Sequence, residues 1–228
     1  MTTKPTLIAF DSETSGTNTK EDRIVTFNIT IRDLETGEQS VHDWLINPGV
    51  TIPDGAIAVH GITNEHAQEH GENPREALDS IAELLAYEYD QGGYLVAFNI
   101  SFDLPLLEAE LARYGLPSLE DRIDGPLLRV YDPLVIDRAA DKFRKGKRTL
   151  VAMCPVYGIE PSENAHDAAA DVKMTLDLTE ALLDTYNLPE DDRDLYQFQR
   201  DAHFRWADSF GKYLRRQGKE DNVDRNWI

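Results

Sequence analysis

Thr6-Leu7-Ile8-Ala9-Phe10-Asp11-Ser12-Glu13-Thr14-Ser15-Gly16 is the stretch on which the reading of the chain turns. An apolar run leads directly into two carboxylates at positions i and i+2, and Ser15-Gly16 closes it as a turn. Side chains on a strand alternate between faces, so Asp11 and Glu13 share one face, with Cα atoms roughly 6–7 Å apart. Two carboxylates so placed can converge on one hard cation or bridge a pair of them. Without a cation the arrangement is costly: two like charges at 4 Å repel by about 1 kcal/mol in water and about 4 kcal/mol at an effective dielectric of 20. A solvated strand end and an ordinary turn would explain these residues taken alone. The decision therefore rests on further carboxylates downstream.

The residues around this strand outline a sheet. Residues 24–32 alternate apolar and polar, as a half-buried strand does. Glu35-Thr36-Gly37-Glu38 is a turn signal, and 41–46 reads as the returning strand of an antiparallel meander. Asn47-Pro48-Gly49 and Ile52-Pro53-Asp54-Gly55 punctuate a loop that ends at His60-Gly61-Ile62-Thr63. Pro74 fits the first turn of a helix over 74–89, which Gly92-Gly93 stops. Tyr94-Leu95-Val96-Ala97-Phe98 is a short continuous apolar run, a buried strand, and a helix follows it from about residue 102 to Gly115. A strand over 127–131, a helix opened by Pro133, a shorter helix over 149–157 and a strong amphipathic helix over 168–183 complete the pattern. Strands first, then strands alternating with helices, imply a mixed α/β sheet with helices packed on it.

Pro189-Glu190-Asp191-Asp192-Arg193-Asp194 marks a boundary. The expected division is a main domain over 1–187 and a helical extension over 188–228. In the extension Leu195, Phe198, Ala202, Trp206, Phe210 and Tyr213 recur at helical spacing. That face is expected to pack on the domain; docking to a partner is the alternative.

Composition limits the function classes. No apolar run is long enough to span a membrane. The first residues lack the apolar core of a secretory signal, so a cytoplasmic location is expected. The single cysteine, Cys154, excludes an internal disulfide, and its apolar neighbours predict a packed thiol. A net charge of −19 argues against nonspecific binding to a polyanion unless bound divalent ions bring the phosphate in. The charge is uneven, since Lys142-Phe143-Arg144-Lys145-Gly146-Lys147-Arg148 holds five cations in seven residues. It reads either as a phosphate-tracking surface or as a solvated loop.

Two further acidic sites follow. Asn99-Ile100-Ser101-Phe102-Asp103 sits where the buried strand hands over to a helix. Asn164-Ala165-His166-Asp167-Ala168-Ala169-Ala170-Asp171-Val172 opens the amphipathic helix, with three alanines giving a close-packing surface beside Asp171. Asp103 alone would pass for a first-turn acid, His166 for a polar loop residue and Asp167 for a cap.

Together, Asp11-x-Glu13-Thr14-Ser15-Gly16, Asn99-x-x-Phe102-Asp103 and His166-x-Ala168-x-x-Asp171 resemble the three motifs of the DEDD exonucleases with a histidine, the family of the epsilon proofreading subunit of bacterial DNA polymerase III. The segment through Asn47-Pro48, Ile52-Pro53 and Val59-His60-Gly61-Ile62-Thr63 resembles the family as well, so the likeness covers roughly residues 5–185. The chain departs from the pattern at Phe98, where the family has His, and at Val172, where it has Ala.

The resemblance implies an RNase H-like fold: a mixed five-stranded sheet, an antiparallel meander and then parallel strands, flanked by helices. It implies an exonuclease domain over 1–187 that releases nucleoside 5′-monophosphates from 3′ ends of single-stranded DNA, in proofreading or repair. Two Mg²⁺ or Mn²⁺ ions are expected on Asp11, Glu13, Asp103 and Asp171, with Asp11 between them, Glu13 and Asp171 on the side of the attacking water and Asp103 on the other. His166 is implied as the general base, a task its ordinary pKa near 6.5 suits. Thr14, His60, Asn99 and Phe102 are implied against the terminal nucleotides. A DNA polymerase or other replication partner for the C-terminal helix is a further expectation. RNA trimming by the same fold, or a catalytically silent nucleic-acid-binding module, are the alternatives.

Overall fold

The structure is a computed structural model of the chain and describes residues 5–162 and 168–228. Strands β1 (Thr6–Thr14), β2 (Ile24–Asp33) and β3 (Gln39–Leu45) form the meander, followed by helices α1 (Asp54–His60), α2 (Asn64–His70) and α3 (Pro74–Asp90). Strand β4 (Tyr94–Val96) leads to α4 (Ile100–Arg113) and α5 (Leu119–Arg122), and β5 (Val130–Tyr131) leads to α6 (Pro133–Ala140). Helices α7 (Leu150–Met153), α8 (Ala168–Thr185) and α9 (Asp192–Arg216) complete the order. The sheet runs β3-β2-β1-β4-β5, with β1 antiparallel to β2 and parallel to β4, and β4 parallel to β5. This is the mixed five-stranded sheet the sequence implies.

Strand β1 lies at the centre, and its alternation feeds two cores. Ile8 and Phe10 point into a large cluster with Leu78, Ile81 and Leu85 of α3 and Leu107 and Leu111 of α4. Leu7 and Ala9 point the other way, onto Val172, Leu176 and Leu182 of α8. Helix α3 starts where expected because the Asn73 side chain accepts from the backbone N–H groups of Arg75 and Glu76, with Pro74 at its first position.

Three elements differ from the sequence reading. Strand β5 is shorter because the N–H groups of Leu128 and Arg129 donate to the Tyr89 hydroxyl instead of a ladder. The helix expected over 149–157 divides into α7 and a 3₁₀ turn, Cys154–Tyr157, at Pro155, which has no N–H to donate. Helix α9 does pack on α6, but its buried residues are Leu195, Gln199, Ala202, His203, Ala207 and Gly211. Small side chains let α9 approach closely, and Phe210 and Tyr213 are left 39% and 50% exposed.

Asp132 ties the C-terminal segment to the sheet. It caps α6 by accepting from Leu134 and Val135, accepts from the Asn99 N–H at 3.1 Å, and accepts from the Trp227 indole at 3.2 Å. Its own N–H donates to the Gln199 side chain at 2.8 Å, and Gln199 donates to the Val130 carbonyl at 2.7 Å. Trp227 is 2% exposed within the main core. Trp227→Ala is expected to cost about 3–5 kcal/mol, read by denaturant unfolding; a loss below about 1 kcal/mol would show that the chain end is not part of the core.

Candidate active site

The alternation of β1 continues past the apolar run and sorts the polar residues by face. Asp11 and Glu13 follow Leu7 and Ala9 toward α8, where Asp171 lies in the first turn. Ser12 follows Ile8 and Phe10 toward α4, and its hydroxyl donates to Asp103 Oδ1 at 2.6 Å. Asp11, Glu13 and Asp171 each offer a carboxylate oxygen, all within 4.8 Å of one another. Asp103 is the fourth acid of the group, and its charge acts on Asp11.

Electrostatics record the crowding. Burial first, then the charges of Asp103, Asp171 and Glu13, hold the Asp11 carboxyl well above the usual carboxylate range. Burial pushes the Asp103 carboxyl up to about 7, against the hydrogen bonds from Ser12 that favour its charged form. Buried Asp132 lies close enough to add to that rise. A cation among these oxygens would reverse every one of these penalties. The donor set is carboxylate oxygen only, which fits a hard divalent ion.

The backbone places the acids by ordinary means. Strand β1 shifts register with β2 between Glu13 and Thr14, a bulge beside the site after which Thr14 pairs with Ile24. Asn99, at φ 67°, is the one non-glycine residue in the left-handed region among the described residues, and it turns the chain from β4 into α4. That turn sets Asp103 in the first turns of α4, 3% exposed. Phe98 packs against the core on the α8 side and Val172 is fully buried in it, so both departures from the motif pattern are packing residues.

The expected nucleotide-contacting residues gather in part. His60 and Glu13 line a groove of about 330 Å³ with Trp44, Ile62 and His66. His60 Nδ1 accepts from the Ile62 N–H at 3.1 Å, so Nε2 carries the hydrogen in the neutral ring. Burial pulls the His60 pKa down, while the Thr14 backbone beside the ring opposes it. The Thr14 hydroxyl donates to the Gly16 carbonyl at 2.6 Å. Asn99 is exposed at the turn into α4 and Phe102 is half-buried on it, packed against the main core. His166 and Asp167 lie outside the described residues.

Three residues of the site's support escaped the sequence reading. Ser12 holds Asp103, a role its place between two acids could have signalled. Asp132 precedes Pro133, which marks a helix cap, but its ties to Asn99 and Trp227 have no local signature. Glu110, 1% exposed, pairs with Arg113 and Arg23 and approaches the Ile24 N–H beneath the start of β2.

The sequence profile of the exonuclease (RNase_T) family matches residues 8–179. The chain belongs to this exonuclease family. It is 31% identical over 182 residues to the DNA polymerase III subunit epsilon of Buchnera aphidicola, a match that covers 75% of this chain and 69% of that one. It is 31% identical over 183 residues to a DNA polymerase III subunit epsilon-like protein of Rhodobacter capsulatus, covering 75% of this chain and 23% of that one. Among solved structures, an exonuclease I from Methylocaldum szegediense superposes with a TM-score of 0.67 at 23% identity, over 92% of this chain and 46% of that one. The structure reported as suggesting how exonuclease I achieves processivity gives 0.66 at 23%, over 86% and 43%. The chain therefore spans less than half of the exonuclease I chains and about a quarter of the Rhodobacter relative. The shared fold is RNase H-like. Among the described residues no helix is long and apolar enough to cross a membrane.

A carboxyl whose pKa rises on folding stabilises the fold while it is protonated. Asp103 therefore contributes most below its unfolded value of 3.8, and that contribution is lost as pH rises toward about 7. Asp103→Asn keeps the neutral shape at every pH. In chelator, its melting temperature relative to the unsubstituted protein is expected to rise between pH 5 and pH 8; a constant difference would contradict the raised carboxyl.

Proposed function

We propose that this chain is a metal-dependent 3′–5′ exonuclease that removes nucleoside 5′-monophosphates from single-stranded DNA ends, in proofreading or repair. The observation that carries this is the convergence of Asp11, Glu13 and Asp171 within 4.8 Å, with Asp103 beside them. Family membership supports the reaction class. Relatives named as polymerase III epsilon subunits, and structural neighbours solved with dT13 and dA16 oligonucleotides, support DNA over RNA.

Asp11, Glu13, Asp103 and Asp171 would hold two Mg²⁺ or Mn²⁺ ions. Such ions, when bound, activate a water for attack and offset charge on the phosphate and the leaving 3′ oxygen. The protein's own share is placement. Ser12 fixes the carboxylate of Asp103, and the turn at Asn99 fixes the helix that carries it. His60 lines the groove where the terminal nucleotide would sit, and the Thr14 backbone lies beside its ring, so both would contact that nucleotide. Phe102 and Asn99, on and just before α4, would contact the strand on the side of Asp103. His166 would take the proton from the attacking water, a step within reach of a group whose ordinary pKa is near 6.5. Neither stacking nor phosphate contact reads base identity, so sequence preference should be slight.

The direct test uses a 3′-overhang DNA and a matched RNA, each 5′-labelled, with Mg²⁺, with Mn²⁺ and with chelator. A metal-dependent ladder shortening from the 3′ end, faster on DNA, is the expected result. Faster cleavage of RNA would overturn the DNA assignment, and no ladder on either would overturn the activity. Asp11→Ala and Asp171→Ala should each abolish the ladder with the fold intact by circular dichroism. Mg²⁺ at a hundred times its dissociation constant should add about 2.7 kcal/mol to stability by binding only the folded state; an unchanged melting temperature would exclude the site.

A further inference from the structure

Helix α9 lies outside the stretch that matches the exonuclease family, yet it forms one wall of a groove rich in cations. The groove, of about 380 Å³, runs between α6 and α9 and is lined by Arg138, Lys142, Arg148, Arg205, Trp206 and Ser209. Four cations around one groove stand out in a chain of net charge −19. Of these, Arg148 pairs with Asp137, which Arg144 and Tyr157 also engage. Arg138, Lys142 and Arg205 make no ion pair with the described residues.

Arg138 is the constrained member. Its guanidinium stacks on the Trp206 ring, 3.7 Å from the centroid. Burial, with the nearby Arg148 charge, pulls its pKa down to about 10 against the opposing charges of Asp132 and Asp137. Cations held together without a carboxylate bound to each repel one another, and an anion placed among them relieves that repulsion. Aromatic faces continue from the groove along α9. Phe210 stacks on Trp206 at 5.5 Å and 13°, and Tyr213 stacks on Phe210 at 6.2 Å and 16°. Phe143, 86% exposed, stands beside Lys142 at the other lip. Lys212, Arg215 and Arg216 follow on the same helix, Lys212 paired with Asp208 and Arg215 with Asp221.

We propose that the α6–α9 groove is a second nucleic-acid site, holding the phosphates of a single strand some nucleotides away from the end being cut, with Phe210 and Tyr213 as stacking faces for its bases. A positive groove beside aromatic faces is the combination that binds single strands without reading sequence. An acidic peptide would satisfy the cations but would make no use of the exposed parts of the Phe210 and Tyr213 rings. The location fits as well. Asp132 caps α6 next to the active acids, and Ala139, seven residues on, lies about 10 Å farther along the helix. A short oligonucleotide would occupy only the active site, whereas a longer one would reach the groove. The proposal rests on the reading of this chain as an exonuclease of single strands.

The test measures binding of 5′-fluorescein dT20 in chelator, and of 5′-fluorescein dT3 with Ca²⁺ in place of Mg²⁺ so that a hard cation fills the acid cluster, by fluorescence anisotropy, for the full chain and for Lys142→Glu/Arg205→Glu. Both side chains are exposed and stand outside the active site. The double variant should bind dT20 at least tenfold more weakly, and its slope of log K against log salt should fall by about 0.7 for each phosphate that is no longer neutralised. Binding and Mg²⁺-dependent cleavage of dT3 should be unchanged. Phe210→Ala/Tyr213→Ala should weaken dT20 about tenfold without changing the salt slope. Unchanged dT20 affinity and slope in the charge variant would overturn the groove, even with cleavage of dT3 intact. Equal weakening for dT3 would also overturn it, since the effect would then belong to the active site. An Asp/Glu decapeptide that displaces dT20 at equal concentration would overturn the nucleic-acid assignment. Loss of cleavage in the unsubstituted protein bears on the proposed reaction alone, because binding is read without turnover.

Discussion

Mutual repulsion among Asp11, Glu13, Asp103 and Asp171 is the constraint to which the rest of the fold answers. Two ionised carboxylates 4 Å apart would oppose folding by about 4 kcal/mol at an effective dielectric of 20, and the raised Asp11 and Asp103 carboxyls record that pressure together with burial. Two elements bring Asp11, Glu13 and Asp171 within 4.8 Å of one another, and a third sets Asp103 where its charge acts on Asp11. Strand β1 is locked by pairing on both sides, α4 by Leu104, Leu107 and Leu111 in the main core, and α8 by Val172 and Leu176 in the other. The apolar alternation that buries the sheet is the same alternation that aims Asp11 and Glu13 at α8. Core and site are two readings of one period.

The support around the acids shows how the repulsion is contained before any cation arrives. Ser12 donates to Asp103, which favours its charge, while burial and Asp132 disfavour it. Asp132 is itself held by four donors: the N–H groups of Asn99, Leu134 and Val135, and the Trp227 indole. Through Trp227 and Gln199 the last segment of the chain reaches the edge of the active site. Disturbance of the C-terminal segment should therefore be felt at Asn99 and, one helical turn on, at Asp103. Removing a piece of such a network costs more than the bond it makes, because a buried carboxylate is left without its donors.

Most of this was legible in the sequence, and what was not has a physical reason. The period of two put Asp11 and Glu13 on one face of a strand, but each acid alone had an ordinary reading, and only the three motifs taken together singled out Asp11, Glu13, Asp103 and Asp171. Long helices such as α3 and α8 were legible from apolar spacing and from Pro and Gly at their ends. Strand β5 was overcounted because Tyr89, far away in sequence, captures the N–H groups of Leu128 and Arg129. The buried face of α9 was misjudged because large apolar residues were expected inside. Close packing instead selected small residues, Ala202 and Ala207 on the buried face and Gly211 against Asp221 and Arg225 of the C-terminal segment, and left Phe210 and Tyr213 outward. Ser12 and Asp132 act through partners distant in sequence, and single-residue signals do not carry such ties.

Net charge is the quantity most open to misreading here. A value of −19 argues against a polyanion ligand only if the charges act together. At physiological salt, interactions between exposed charges fade beyond about 8 Å, so a strand meets local fields rather than the total. Near the active acids that field is repulsive until divalent ions reverse it. Along the groove between α6 and α9 it is attractive without ions, because Arg138, Lys142 and Arg205 make no ion pair among the described residues. The two regions therefore respond to different conditions: metal governs the first, monovalent salt the second. A long strand could be held by the groove while the metal site is empty, and the end would then be presented for cutting when the ions bind.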